Sequence, residues 1–194
     1  PRTRMLVAAC CSGLGVFLFQ AWLSNIDTPP LDWLLSFPII GIFFTIFAIV
    51  GLVNAINLID GINGLASGHV IMSSLAISIV AGKVNEPNLS DLALIIAFAT
   101  FGLFLINYPF GRIFLGDAGA YTLGFVLAWL IVLLSHKHPE VSDWSLLAIV
   151  FWPVSDTIFS IFRRRIKFNS AGMPDRLHFH QVTMRSLRIL SSNR

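Results

Sequence analysis

Polar residues in this chain gather in three stretches whose side chains suit the handling of phosphate. The first is NAINLIDGINGL, from Asn54 to Leu65. It places Asn54, Asn57, Asp60 and Asn63 three apart, a spacing that keeps successive side chains on one slowly drifting stripe of a helix. The two Asx-Gly pairs then break the helix and bare backbone N–H groups to an anion. The plain alternative is a helix end capped at a turn, which uses fewer polar residues than these four. The second is NYPFGRIFLGDAGA, from Asn107 to Ala120, where Asp117 is flanked by Gly116 and Gly119 at the expected start of a helix. A carboxylate there could merely cap the helix. It could also ligate Mg²⁺, which takes one or two carboxylates and completes its octahedron with water and phosphate oxygens. The third, PDRLHFHQ, carries Arg176, His178 and His180. With no third ligand of that kind nearby, zinc is not expected, and the pair suits phosphate oxygens better.

The elements that position these residues follow from composition. Of 194 residues, 56% are hydrophobic and 12% charged. That is about half the charge of an average soluble domain, which excludes disorder and leaves too few polar side chains to cover a soluble surface. Six apolar runs are expected to cross a membrane, at Met5–Leu23, Pro38–Ile56, Leu65–Ala81, Leu92–Ile106, Gly119–Leu134 and Trp144–Phe162. The expected fold is therefore all-α, a polytopic helical bundle forming one membrane-embedded domain over residues 1–194. The adjacent Cys10 and Cys11 offer neither a disulfide framework nor a zinc spacing.

Charge counting orients the bundle. With the N-terminus in the cytoplasm, eleven of the thirteen basic residues fall inside and only Lys83 and Lys137 outside, as the positive-inside rule requires. All three polar stretches then share the cytoplasmic face. The basic run from Arg163 to Lys167 reads as a topology anchor, and the His136–His138 stretch as a solvated outer loop. His69 reads as a satisfied buried histidine. Asp156, inside the last run, is either functional or paired with an arginine of the 163–165 run.

The pattern N-x-x-N-x-x-D-G-x-[ND]-G-L across Asn54–Leu65 resembles that of the polyprenyl-phosphate N-acetylhexosamine-1-phosphate transferases. This superfamily also holds the phospho-MurNAc-pentapeptide translocase. N-x-P-x(4)-F-[ML]-G-D-x-G is similar to Asn107–Gly119, P-x-x-D-T with a basic cluster to Pro153–Arg165, and D-R-x-H-x-H to Asp175–His180. The resemblance implies Mg²⁺-dependent transfer of a sugar 1-phosphate from a UDP-sugar to polyprenyl (undecaprenyl) phosphate, releasing UMP at the cytoplasmic face of the bacterial inner membrane. Mn²⁺ is the alternative ion. The membrane is a partner, nucleic acid is not, and a homodimer is an allowed assembly.

By the family pattern Asp117 binds the metal and, with Asp60, His178 and His180, forms the catalytic set. Phe114 stacks on uracil, while Asn54, Asn57, Asn63, Asn107 and Arg176 contact substrate or shape its site. Three departures stand out: no Asp-Asp pair occurs in the chain, Asn63 replaces an aspartate, and Gln181 replaces a histidine. The family also has about ten spans, so the resemblance implies further spans before Pro1 and one after the tail. The His-x-His tail points to the N-acetylhexosamine branch rather than the translocase. Two rivals are a transporter lined by His69 and Asp156 and an inactive remnant that only binds.

Overall fold

A computed structural model describes residues 2–166, which form helices joined by short loops. In chain order these are α1 (Arg2–Phe19), α2 (Pro29–Leu35), α3 (Pro38–Ile59), α4 (Leu65–Lys83), α5 (Pro87–Asn107), α6 (Gly116–Lys137), α7 (Asp143–Ile149) and α8 (Phe151–Ile166). Proline occupies the first turn of α2, α3 and α5, where its missing N–H costs nothing and its fixed φ suits a helix start.

Among the described residues, four helices, α3 to α6, are long and apolar enough to cross a membrane. The expected sixth run is instead broken, with α7 and α8 meeting at 80°. Pro153 accounts for the break. It has no N–H to donate to the carbonyl four residues back, at Ile149, and its ring would crowd that oxygen. The Ile149 carbonyl accepts the Ser73 hydroxyl of α4 instead, at 3.0 Å. The first run is also corrected, since its apolar helix, Thr3–Phe19, is shorter than the four spans. Beyond it Gln20 turns at φ 50°, and the Leu23 N–H bonds the Thr45 hydroxyl of α3. α1 and the residues after it still run the length of the bundle. Arg4 meets Asp117 at one end, and Trp22 packs on His136 at the other.

The core lies where α3 packs on α6, filled by Ile49, Val53, Ile56, Leu127 and Leu130. Gly124 permits this approach, because a Cβ there would stand 3.0 Å from the Val53 Cα. α4 packs on α5 and α6, while α1 and α8 flank α3. The outside is apolar as well: Phe43, Phe47 and Phe98 are each about 70% exposed. A bundle with large apolar side chains on both its inner and outer surfaces is built to sit in lipid. It is a multi-pass membrane protein.

Polar contacts divide between the two ends. At the end away from the two motif loops, Glu86 takes Lys137 at 3.3 Å and His138 at 3.2 Å, and His138 also meets Glu140 at 2.8 Å. The stretch expected as a solvated loop is therefore a clasp that ties the α4–α5 turn to the end of α6. Its carboxylates hold the His138 imidazolium above the ordinary histidine range, Glu140 most strongly. His69 is satisfied within its own helix by Ser73, at 3.2 Å. Asp156 lies on the buried face of α8 with Pro153 and Ser160.

Candidate functional site

At the opposite end of the bundle, the C-terminus of α3, the C-terminus of α5 and the N-terminus of α6 converge. α3 stops at Asp60, and Gly64, at φ 78°, starts α4. Asn107, the last residue of α5, ties the two motif loops together. Its side-chain oxygen accepts the Gly64 N–H, and its amide donates to the Ile113 carbonyl at 2.5 Å. Asn107 is only 4% exposed, and its bond to the buried Gly64 N–H is shielded from competing water. Asn63 adds a second tie, donating to the Pro109 carbonyl at 3.1 Å.

The two carboxylates meet across these ties. The Asn57 amide donates to Asp117 Oδ1 at 3.0 Å, and the Gly116 N–H donates to Asp60 Oδ2 at 3.1 Å. Asp117 stands in the first turn of α6, but the residue before the helix is Leu115, and no side-chain capping bond forms. Helix capping therefore does not explain this aspartate. Burial raises the Asp60 pKa from its ordinary value; the Gly116 N–H opposes that, and the nearby Asp117 charge adds to it. Asp117 is held below the ordinary carboxylate range, first by the Asn57 amide and then by the Arg4 charge, so it stays ionised beside Asp60 and is suited to meet a cation.

Phe114, 53% exposed, projects from the same loop, and Arg112 lies over the Phe110 ring at 5.5 Å. Six of the residues singled out in the sequence are thus brought to one end of the bundle: Asn57, Asp60, Asn63, Asn107, Phe114 and Asp117. Asn54 is not joined to them by hydrogen bonding, because its amide bonds the Val50 carbonyl of its own helix, at 2.7 Å. Arg176, His178 and His180 lie outside the described residues. Sequence reasoning also missed Arg4, whose Nη1 pairs with Asp117 Oδ2 at 2.5 Å, and Tyr121, which Arg4 also contacts. The available signals were the four-residue step from Asp117 to Tyr121 and the shared end expected for Arg4 and Asp117.

The loop geometry gives one prediction directly. Gly111 has φ +64°, and a Cβ there would fall 2.7 Å from the Asn63 amide nitrogen. Gly111→Ala should lower the thermal midpoint in detergent and break the Asn63 tie, since left-handed backbone alone costs a side chain about 1–2 kcal/mol. Gly102→Ala, with open space around it in α5, should leave the midpoint unchanged or raise it. Equal behaviour of the two variants would contradict this loop geometry.

Comparison with known proteins points the same way. The chain is 35% identical over 118 residues to the undecaprenyl-phosphate alpha-N-acetylglucosaminyl 1-phosphate transferase of Pasteurella multocida, covering 58% of this chain and 33% of that protein. The transferases of the same name in Haemophilus influenzae and Escherichia coli are 34% and 30% identical over 153 residues. They cover 76% and 75% of this chain, and 43% and 41% of themselves. The chain thus spans about two fifths of the length of such relatives. The model of glycosyl transferase family 4 matches residues 1–135, a stretch that takes in Arg4, both motif loops and nearly all of α6. By that match the chain belongs to glycosyl transferase family 4.

Proposed function

We propose that this chain carries the active face of a transferase that moves N-acetylhexosamine 1-phosphate from a UDP-sugar to undecaprenyl phosphate. The face is cytoplasmic, the membrane is the bacterial inner membrane, and UMP is the leaving product. The observation that carries this reading is the convergence of Asn57, Asp60, Asn107 and Asp117 at one end of an otherwise apolar bundle. A transporter would place its polar groups near the midplane. The names of the relatives support N-acetylglucosamine as the sugar.

The donor set fits a hard divalent cation. Asp117 and Asp60 offer carboxylate oxygens from two helices, and no group of three His, Cys, Asp or Glu side chains gathers among the described residues. Such a site leaves most of the coordination to water and phosphate oxygens, which suits Mg²⁺, or Mn²⁺ in its place. When bound, the ion would neutralise charge on the pyrophosphate as it divides. The chain's own residues do the positioning. Asn57 fixes the orientation of the Asp117 carboxylate, and the Gly116 N–H fixes that of Asp60. Asn107 locks both loops, so that Phe114 can stack on the uracil at a fixed distance from the carboxylates.

An oxygen of the lipid phosphate attacks the sugar-bearing phosphorus of the donor. A new P–O bond forms there, and the bond to the UMP oxygen breaks, with its electron pair leaving on UMP. The attacking phosphate is already an anion and needs little help from a base, so the barrier is lowered by placement and charge. In this reading His178, His180 and Arg176 engage the phosphates.

The nucleotide contact is tested by Phe114→Ala. Base stacking on an aromatic ring is worth about 1–3 kcal/mol in nucleic-acid systems, so UMP should bind about ten- to a hundred-fold more weakly by calorimetry. Equal affinity of variant and wild type would remove Phe114 from the base site.

A further inference from the structure

Arg4 reaches the carboxylate that the proposed reaction needs most. Asn57 holds Asp117 Oδ1 from one side at 3.0 Å. On the other side the Arg4 guanidinium takes Oδ2 at 2.5 Å. One carboxylate oxygen is thus committed to a neutral amide and the other to a cation supplied by α1. Both side chains of the ion pair are more than half exposed, 56% and 55%. The pair is therefore open to exchange with solutes at the membrane face, and exposed ion pairs of this kind are weak.

A divalent ion approaching Asp117 needs the oxygen that Arg4 occupies. If Arg4 kept it, the ion would meet a positive neighbour within bonding distance of the same carboxylate. Tyr121, one helical turn beyond Asp117, gives the guanidinium a second partner at the same helix end. We propose that Arg4 is a displaceable stand-in for the metal: it neutralises Asp117 in the ion-free protein and yields Oδ2 when the cation arrives. This rests on the reading of Asp117 as the metal-bearing carboxylate.

The test measures ion binding without turnover, using Mn²⁺ followed by electron paramagnetic resonance on the purified membrane protein. Arg4→Gln should bind Mn²⁺ about two- to five-fold more tightly, the size expected when an exposed ion pair no longer competes. Lys137→Gln, which removes the same charge at the far end of α6, should leave the affinity unchanged. In the unmodified protein, Mg²⁺ should speed dicarbonyl modification of Arg4, mapped by peptide mass, relative to Arg112. That second measurement stands whether or not the variant folds. An Arg4→Gln affinity equal to or weaker than wild type, or Arg4 labelling indifferent to Mg²⁺, would overturn the stand-in role, provided Asp117→Asn weakens Mn²⁺ binding. Mn²⁺ binding untouched by Asp117→Asn would overturn the metal reading itself.

Discussion

Asp117→Asn is expected to lower turnover by about a thousand-fold or more while leaving the bundle assembled. The substitution keeps the size of the side chain and a carbonyl oxygen to accept from Asn57 at Oδ1. What it removes is the charge, and a metal ion's stabilisation of phosphoryl transfer is large enough to account for a loss of that order. Asp117 is over half exposed and fills no core position, so insertion and thermal midpoint should stay near those of the wild type. UMP release and a melting curve on the same preparation check both halves. Turnover within about ten-fold of wild type would show that Asp117 is not the central carboxylate.

The second large effect is expected at a residue that need not touch substrate. Asn107→Ala deletes the tie from the second motif loop to the buried Gly64 N–H of the first, and the bond to Ile113 that shapes the second loop itself. An unsatisfied buried polar group costs about 1–3 kcal/mol, so the thermal midpoint should fall. Phe114 and Asp117 lie on or beside the released loop, and small misplacements of positioned groups reduce rates by about a hundred-fold. Turnover should therefore drop by that order, with KM for the UDP-sugar rising. Asn107→Asp separates the two bonds, since it keeps the acceptor for Gly64 and loses the donor to Ile113. It should fall between alanine and wild type. A full-rate alanine variant would mean that the two loops hold their places without Asn107.

The four spans α3 to α6 were legible because each is a long apolar run. Their ends were less so. Pro87 looks like a breaker in the sequence, yet it occupies the first turn of α5, five residues ahead of the expected start at Leu92. The break between α7 and α8 was hidden for the opposite reason. Hydropathy runs on through Val150, and Pro153 reads as an ordinary membrane proline until its effect on the Ile149 carbonyl is considered.

At the site, the three-residue spacing put Asn57, Asp60 and Asn63 together, and the structure has all three bonded to the 107–120 stretch. The spacing also included Asn54, which instead satisfies itself on the preceding turn of its own helix. The pairings themselves were not legible. Arg4 and Asp117 are more than a hundred residues apart, and only the packing of α1 and α6 beside α3 brings them together. The Glu86–His138 clasp was missed for the same reason, since its partners come from different turns.

Product identity tests the central claim most directly. Membranes carrying the intact protein, in a background without related transferases, would be supplied with UDP-N-acetylglucosamine, undecaprenyl phosphate and Mg²⁺. The expected nucleotide product is UMP, formed one for one with a lipid-linked sugar pyrophosphate and absent when either the lipid phosphate or Mg²⁺ is withheld. Release of UDP with a lipid-linked sugar monophosphate would mean that the sugar alone is transferred, and would contradict the account.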